Sequence, residues 1–128
     1  CAQAQAVTPP FTPQGPLALS SGTDEDWFKI TVGAADVHRR FHVVTTTVAA
    51  NPATDTAVEV LFGGDCGQLT SLSYADGQGG SWGPSFSEDL VSAPAPAAGT
   101  YYVKVAAGQR QGTAGVTGTD YGLSITLE

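Results

Sequence analysis

Apolar residues recur at every second position through one stretch of this chain after another. In "YGLSITL" (121–127), Tyr121, Leu123, Ile125 and Leu127 alternate with Gly122, Ser124 and Thr126. A period of two is the signature of a strand that buries one face. "DWFKITV" (26–32) repeats it, with Phe28, Ile30 and Val32 on one face and Trp27, Lys29 and Thr31 on the other. "AVEVLF" (57–62) and "YYVKVAA" (101–107) follow the same rule, and "FHVVTTTV" (41–48) is dense in β-branched residues that suit a pleated surface. "LALS" (17–20) and "QLTSLSY" (68–74) are weaker candidates. Gly-, Pro- and Asp-rich turns separate these runs, among them "ANPATD", "FGGDCG" and "APAPAAGT". No segment sustains a helical period. The pattern predicts an all-β chain, an antiparallel β-sandwich of jelly-roll-like form.

The first 16 residues, "CAQAQAVTPPFTPQGP", hold four of the eight prolines and predict an extended arm. Residues 17–128 then form one β-sandwich domain, and the total of 128 residues suits a single core. The chain opens on Cys1 and contains no Met, which reads as a processed product. No apolar stretch reaches the roughly 18 residues that span a bilayer. A secreted or cell-surface bacterial location is expected. The two cysteines leave two readings. Cys1 and Cys66 form a disulfide, or Cys1 is the acylated first residue of a lipoprotein. Acylation would strand Cys66 as a lone thiol in "GGDCG", which favours the disulfide.

The net charge is −7, twelve acids against five Lys and Arg, a surface that repels nucleic-acid phosphates. Nucleophilic catalysis has no motif: there is no G-x-S-x-G elbow. His38 and His42, in a strand, would stand about 13 Å apart, too far for one zinc ion. Acid pairs for glycoside hydrolysis abound without specificity. The expectation is therefore a protein that is not an enzyme. Calcium, a hard cation that takes carboxylate and carbonyl oxygens, is the more physical reading of "SGTDEDWF", with Asp24 and Asp26 as ligands. A solvated turn is the bland alternative. Glu88 and Asp89 read as solvated acids at a strand rim. Trp82, in a Gly- and Ser-rich stretch, and Tyr102 are the candidate binding contacts.

Four segments in order, "SGTDEDWFKITV", "TDTAVEVLF", "AAGTYYVKV" and "TDYGLSITL", resemble the bacterial pre-peptidase C-terminal domain. The resemblance spans residues 17–128. It implies a jelly-roll-like sandwich serving as a non-catalytic accessory domain of exported proteins. Relatives of that family include the collagen-binding domains of clostridial collagenases, in which calcium sits near the acidic turn. Carried onto this sequence, Asp24 and Asp26 match that turn, and Asp55 matches the position before a later strand. The arm carries no acid, unlike the calcium-binding relatives.

The functional expectation is an extracellular binding or accessory domain contacting a surface polysaccharide or a partner protein, stabilised by calcium. The rival expectation is a structural subunit of a cell-surface assembly that self-associates through its arm.

Overall fold

The computed structural model describes residues 1–19, 23–48, 54–76, 87–108 and 119–128. Nine strands lie in that set: β1 (Gln5–Ala6), β2 (Leu17–Ala18), β3 (Glu25–Val32), β4 (Arg40–Thr47), β5 (Thr56–Phe62), β6 (Thr70–Asp76), β7 (Asp89–Pro94), β8 (Gly99–Ala107) and β9 (Asp120–Leu127). They form a five-stranded sheet, order β1-β3-β8-β5-β6, and a four-stranded sheet, order β2-β9-β4-β7. All pairs are antiparallel except β1 with β3, which is parallel.

The alternation read from the sequence sets which side chains meet. Phe28, Ile30 and Val32 of β3, Val58 and Val60 of β5, and Val103 and Val105 of β8 face Phe41 and Val43 of β4 and Leu123 and Ile125 of β9 in one core. Tyr101 joins the two layers: its ring stacks on Phe62 at 4.6 Å and tilts against Phe41 at 5.3 Å. Its hydroxyl donates to the Ala97 carbonyl at 2.7 Å, so the buried polar end is satisfied. Gly99, where β8 begins, has φ +149°, and a Cβ there would stand 3.3 Å from the Phe62 ring. The glycine of "AAGTYYV" is thus required by local backbone geometry.

The proline-rich arm lies along the sandwich. The Val7 amide donates to the Lys29 carbonyl on β3, Phe11 and Ile125 exchange backbone hydrogen bonds, and β2 pairs with β9. The arm thereby crosses from the edge of one sheet to the edge of the other, covering strand edges that would otherwise present unpaired backbone. Cys1 is bonded to Cys66 in the turn between β5 and β6. That bond joins the arm to the far side of the sheet, with β3 and β8 between β1 and β5. It uses the sulfur that acylation would need, and it places the chain in an oxidising compartment. No helix among the described residues is long and apolar enough to cross a membrane.

The expectation of a solvated acid is corrected for Glu88, whereas Asp89 is exposed at the rim of its strand as expected. Glu88 is 1% exposed, held by backbone and side-chain hydrogen bonds to Thr45. Asp89 opens β7 and binds His42 of β4. Protonated on both nitrogens, the His42 ring donates from Nε2 to Asp89 Oδ1 at 2.5 Å and from Nδ1 to Glu128 Oε1 at 2.8 Å. The hydrogen bond to Glu128, then that to Asp89, raises the His42 pKa above its ordinary 6.5. The clamp's contribution is therefore complete below about pH 6.5 and fades as pH rises through the higher folded value. His42→Gln should lower the melting temperature by about 2–4 °C at pH 5.5 and by less at pH 9, the size of a partly exposed ion pair. A pH-independent difference in thermal melts would show that the ring acts by packing instead.

Candidate functional site

Strand polarity gathers the acids at one end of the sandwich. Pairing Glu25 with Ala106 and Ala57 with both Ala106 and Asp76 puts the starts of β3 and β5 beside the ends of β8 and β6. Thr47 pairs with Tyr121 and Val44 with Asp89, which brings the starts of β9 and β7 beside the end of β4. Asp24, Glu25 and Asp26 therefore lie at this end, as do Asp55 before β5, Asp76 closing β6, Glu88 and Asp89 at β7, and Asp120 opening β9. Those are eight of the chain's twelve acids. Arg39 and Arg40 stand at the opposite end, while Lys29 and Lys104 sit on the outer face of the larger sheet. The segments that join these strand ends, including the one that carries Trp82, lie outside the described residues, so the contact expected of Trp82 does too.

Two arrangements stand out at the acidic end. In the first, Asp55, Asp76 and Glu88 each offer a carboxylate oxygen, all within 4.8 Å of one another. Asp55 and Glu88 are each 1% exposed. Gly108 donates its amide to the Asp55 carbonyl at 3.1 Å. A Cβ on Gly108 would stand 2.4 Å from Asp55 Oδ2, so glycine is what admits the carboxylate there. Thr45 Oγ1 lies 2.7 Å from Thr56 Oγ1 and accepts the Glu88 amide at 2.8 Å, which ties the two sheets together beneath the acids. Carboxylates this close and this buried are costly as anions without compensating charge or hydrogen bonds. The cluster could coordinate a divalent ion.

The second arrangement surrounds the acidic turn. Asp26 faces inward, and its Oδ2 accepts the Tyr121 hydroxyl at 2.6 Å across the two sheets. Burial, and then repulsion from Asp24, raise the Asp26 pKa despite that hydrogen bond. Burial, with the Asp26 hydrogen bond next, keeps the Tyr121 hydroxyl protonated far above its ordinary range. Asp24 Oδ1 accepts the Glu25 amide at 3.0 Å, the geometry of an ordinary strand entry. Asp24 and Asp26 are not members of the three-acid cluster.

Next to them, Trp27 points to the outer face, edge-on to Tyr102 at 6.0 Å and 5.6 Å from Lys104 Nζ. Lys104 also reaches Glu59 at 2.8 Å and Glu25 at 3.7 Å. Burial alone would raise the Glu59 pKa, but hydrogen bonds with Lys104 and Ser71, together with the Lys104 charge, hold the carboxyl below its usual value. Tyr102 is only 4% exposed, so it supports Trp27 rather than offering a surface of its own. A cleft of about 520 Å³ opens along this part of β3, lined by Glu25, Asp26, Trp27 and Phe28 and by the arm's Gln3 and Gln5.

No family model and no curated protein sequence matches this chain. Its fold is similar to two solved structures. One is Aeromonas hydrophila PliG, described as a periplasmic lysozyme inhibitor of g-type lysozyme, with TM-score 0.55, 15% identity, 98% of this chain and 97% of that one covered. The other is Salmonella Typhimurium PliG, of the same description, with TM-score 0.52, 17% identity, and 98% and 100% covered. These structures correct the resemblance to the pre-peptidase C-terminal and collagen-binding domains. The motifs behind it, an acidic strand entry, a turn glycine and alternating strands, are devices of strand formation that a different sandwich also needs.

Proposed function

We propose that this chain is a non-catalytic, extracytoplasmic domain that works by binding a protein, and that its partner is a lysozyme of the g-type. The observation that carries this reading is the concentration of eight acids, a cleft and an aromatic at one end of a disulfide-bonded sandwich. Like-signed charge at one end steers and selects an oppositely charged protein surface. Support also comes from the two inhibitor structures, whose fold corresponds to this one over almost the whole of each chain. The assembly reading has less support, because the arm's backbone is engaged with β3 and β9 of its own chain. A polysaccharide partner also has less support, since Tyr102 is buried. Purified chain added to a g-type lysozyme clearing a peptidoglycan suspension should slow the clearing in proportion to its concentration. Unchanged clearing at a large molar excess would reject the lysozyme partner.

A second reading concerns calcium. Asp55, Asp76 and Glu88 favour it, because a hard dication is the natural counter-charge for three converging carboxylates. Calcium at Asp24 and Asp26 has less support, since an oxygen of each already accepts a hydrogen bond. Millimolar calcium should raise the melting temperature of chelator-treated protein by several degrees through ligand linkage. Glu88→Gln should abolish that shift, and Asp24→Asn should leave it. A melting temperature indifferent to calcium and chelator would remove the ion from the account.

A further inference from the structure

We infer that the cleft beside β3 seats an extended, basic segment of the partner protein, docked along the strand's uncovered edge. The inference rests on the protein-binding reading and names the surface that performs it. β3 is eight residues long, yet β1 covers it only at Phe28 and Lys29. The Val7 amide reaches the Lys29 carbonyl, so Lys29 turns its backbone groups toward that edge. Backbone direction alternates along a strand, so Trp27 and Glu25 turn theirs the same way. The parallel register of Gln5 on Phe28 bonds the Trp27 carbonyl to the Gln5 amide, and Asp24 Oδ1 holds the Glu25 amide, so the Trp27 amide and the Glu25 carbonyl are the groups this stretch of edge offers a guest. An open strand edge is a ready template for an added extended chain, whose main-chain bonds give affinity while flanking pockets give specificity.

The cleft occupies this stretch of edge. The turn at Cys1–Ala4 and Leu17 of β2 bound it, and its volume of about 520 Å³ suits a few side chains of a guest segment. Its chemistry selects the guest's charge. Glu25 is exposed, Asp26 lines the cleft beside it, and Asp24 precedes them. The Trp27 ring already carries Lys104 Nζ at 5.6 Å, so it offers the guest an apolar contact rather than a bare cation site. Lys104 reaches Glu25 at 3.7 Å from the outer face but sits closer to Glu59, at 2.8 Å, and with no Lys or Arg in the lining itself the acids outnumber the cations around the cleft. A guest with Lys or Arg at alternate positions would place its cations on the acids while its backbone extends the sheet.

The test uses the intact, oxidised chain and an acetylated Lys–Val repeat octapeptide, with a Glu–Val repeat as the comparison. Amide chemical-shift mapping should show the basic peptide perturbing Gln3–Gln5 and Glu25–Phe28, and the acidic one perturbing neither. Glu25→Gln and Gln68→Lys change the net charge equally, and Gln68 is exposed in the turn after β5. Glu25→Gln should weaken the basic peptide several-fold, Glu25→Lys about tenfold, about 1.4 kcal/mol, and Gln68→Lys hardly at all. Perturbations elsewhere, or equal losses for Glu25→Gln and Gln68→Lys, would overturn the cleft. Lysozyme inhibition is scored separately. Inhibition that survives Glu25→Lys unchanged rejects the cleft and keeps the partner. A cleft that maps as expected in a chain without inhibitory activity rejects the partner and keeps the cleft.

Discussion

Replacing Cys1 and Cys66 together by serine is expected to lower the melting temperature by about 15 °C. The bond closes a loop with sequence separation 65. Chain-entropy arguments assign a loop of that size about 4 kcal/mol. For a domain this long, each 1 kcal/mol moves the midpoint by about 4 °C. The loss should be greatest in the arm. β1 is two residues long, and a strand that short has little stability of its own. In hydrogen exchange the Val7 amide, bonded to Lys29, should lose its protection first, while the Ile125 amide, bonded to Phe11, keeps more of its own. An unchanged midpoint by calorimetry would mean that the arm's backbone bonds suffice to hold it.

Tyr101→Ala should cost about 3–5 kcal/mol, the range for removing a buried aromatic ring. Tyr101 is 0% exposed and contacts rings from both directions. Its removal leaves Phe41 and Phe62 facing a void between the layers and also deletes the hydroxyl's bond to Ala97. Tyr101→Phe should cost only about 1–2 kcal/mol, since it keeps the ring and gives up the hydroxyl's bonds to the Ala97 carbonyl and amide. Urea unfolding of the two variants separates ring from hydroxyl. Equal losses would place the energy in the hydroxyl instead.

Much of the fold was legible in the sequence, because alternation both forms a strand and chooses its buried face. β9 shows this most directly: Tyr121, Leu123 and Ile125 are buried as the pattern requires. β7 escaped notice for a physical reason. "DLVSAP" places a serine, Ser92, at an inward position, and its Ala and Pro resemble a turn. Ser92 is tolerated inside because its hydroxyl donates to the Ala93 carbonyl and accepts the Phe41 amide. β1 escaped because two exposed residues carry no period.

The acidic end was less legible. Asp24 and Asp26 stood out as neighbours in sequence, whereas Asp55, Asp76 and Glu88 meet only through the order and polarity of the strands. Charge in an interior is set by tertiary pairing, and no local pattern reports it. A signal for Asp55 was available in hindsight: a carboxylate immediately before a β-branched run, with a glycine where the partner strand ends. His42 carried no signal at all, since its partners Asp89 and Glu128 are distant in sequence.

The central claim, that this chain acts by holding a protein on its acidic end, is tested most directly by isothermal calorimetry with a purified g-type lysozyme. A saturable one-to-one complex is expected, with an affinity of micromolar or tighter. That affinity should fall as salt rises and fall again on Glu25→Lys, with no loss on Gln68→Lys. Absence of heat and of co-elution at concentrations well above micromolar would contradict it, as would binding indifferent to salt and to every acid at that end.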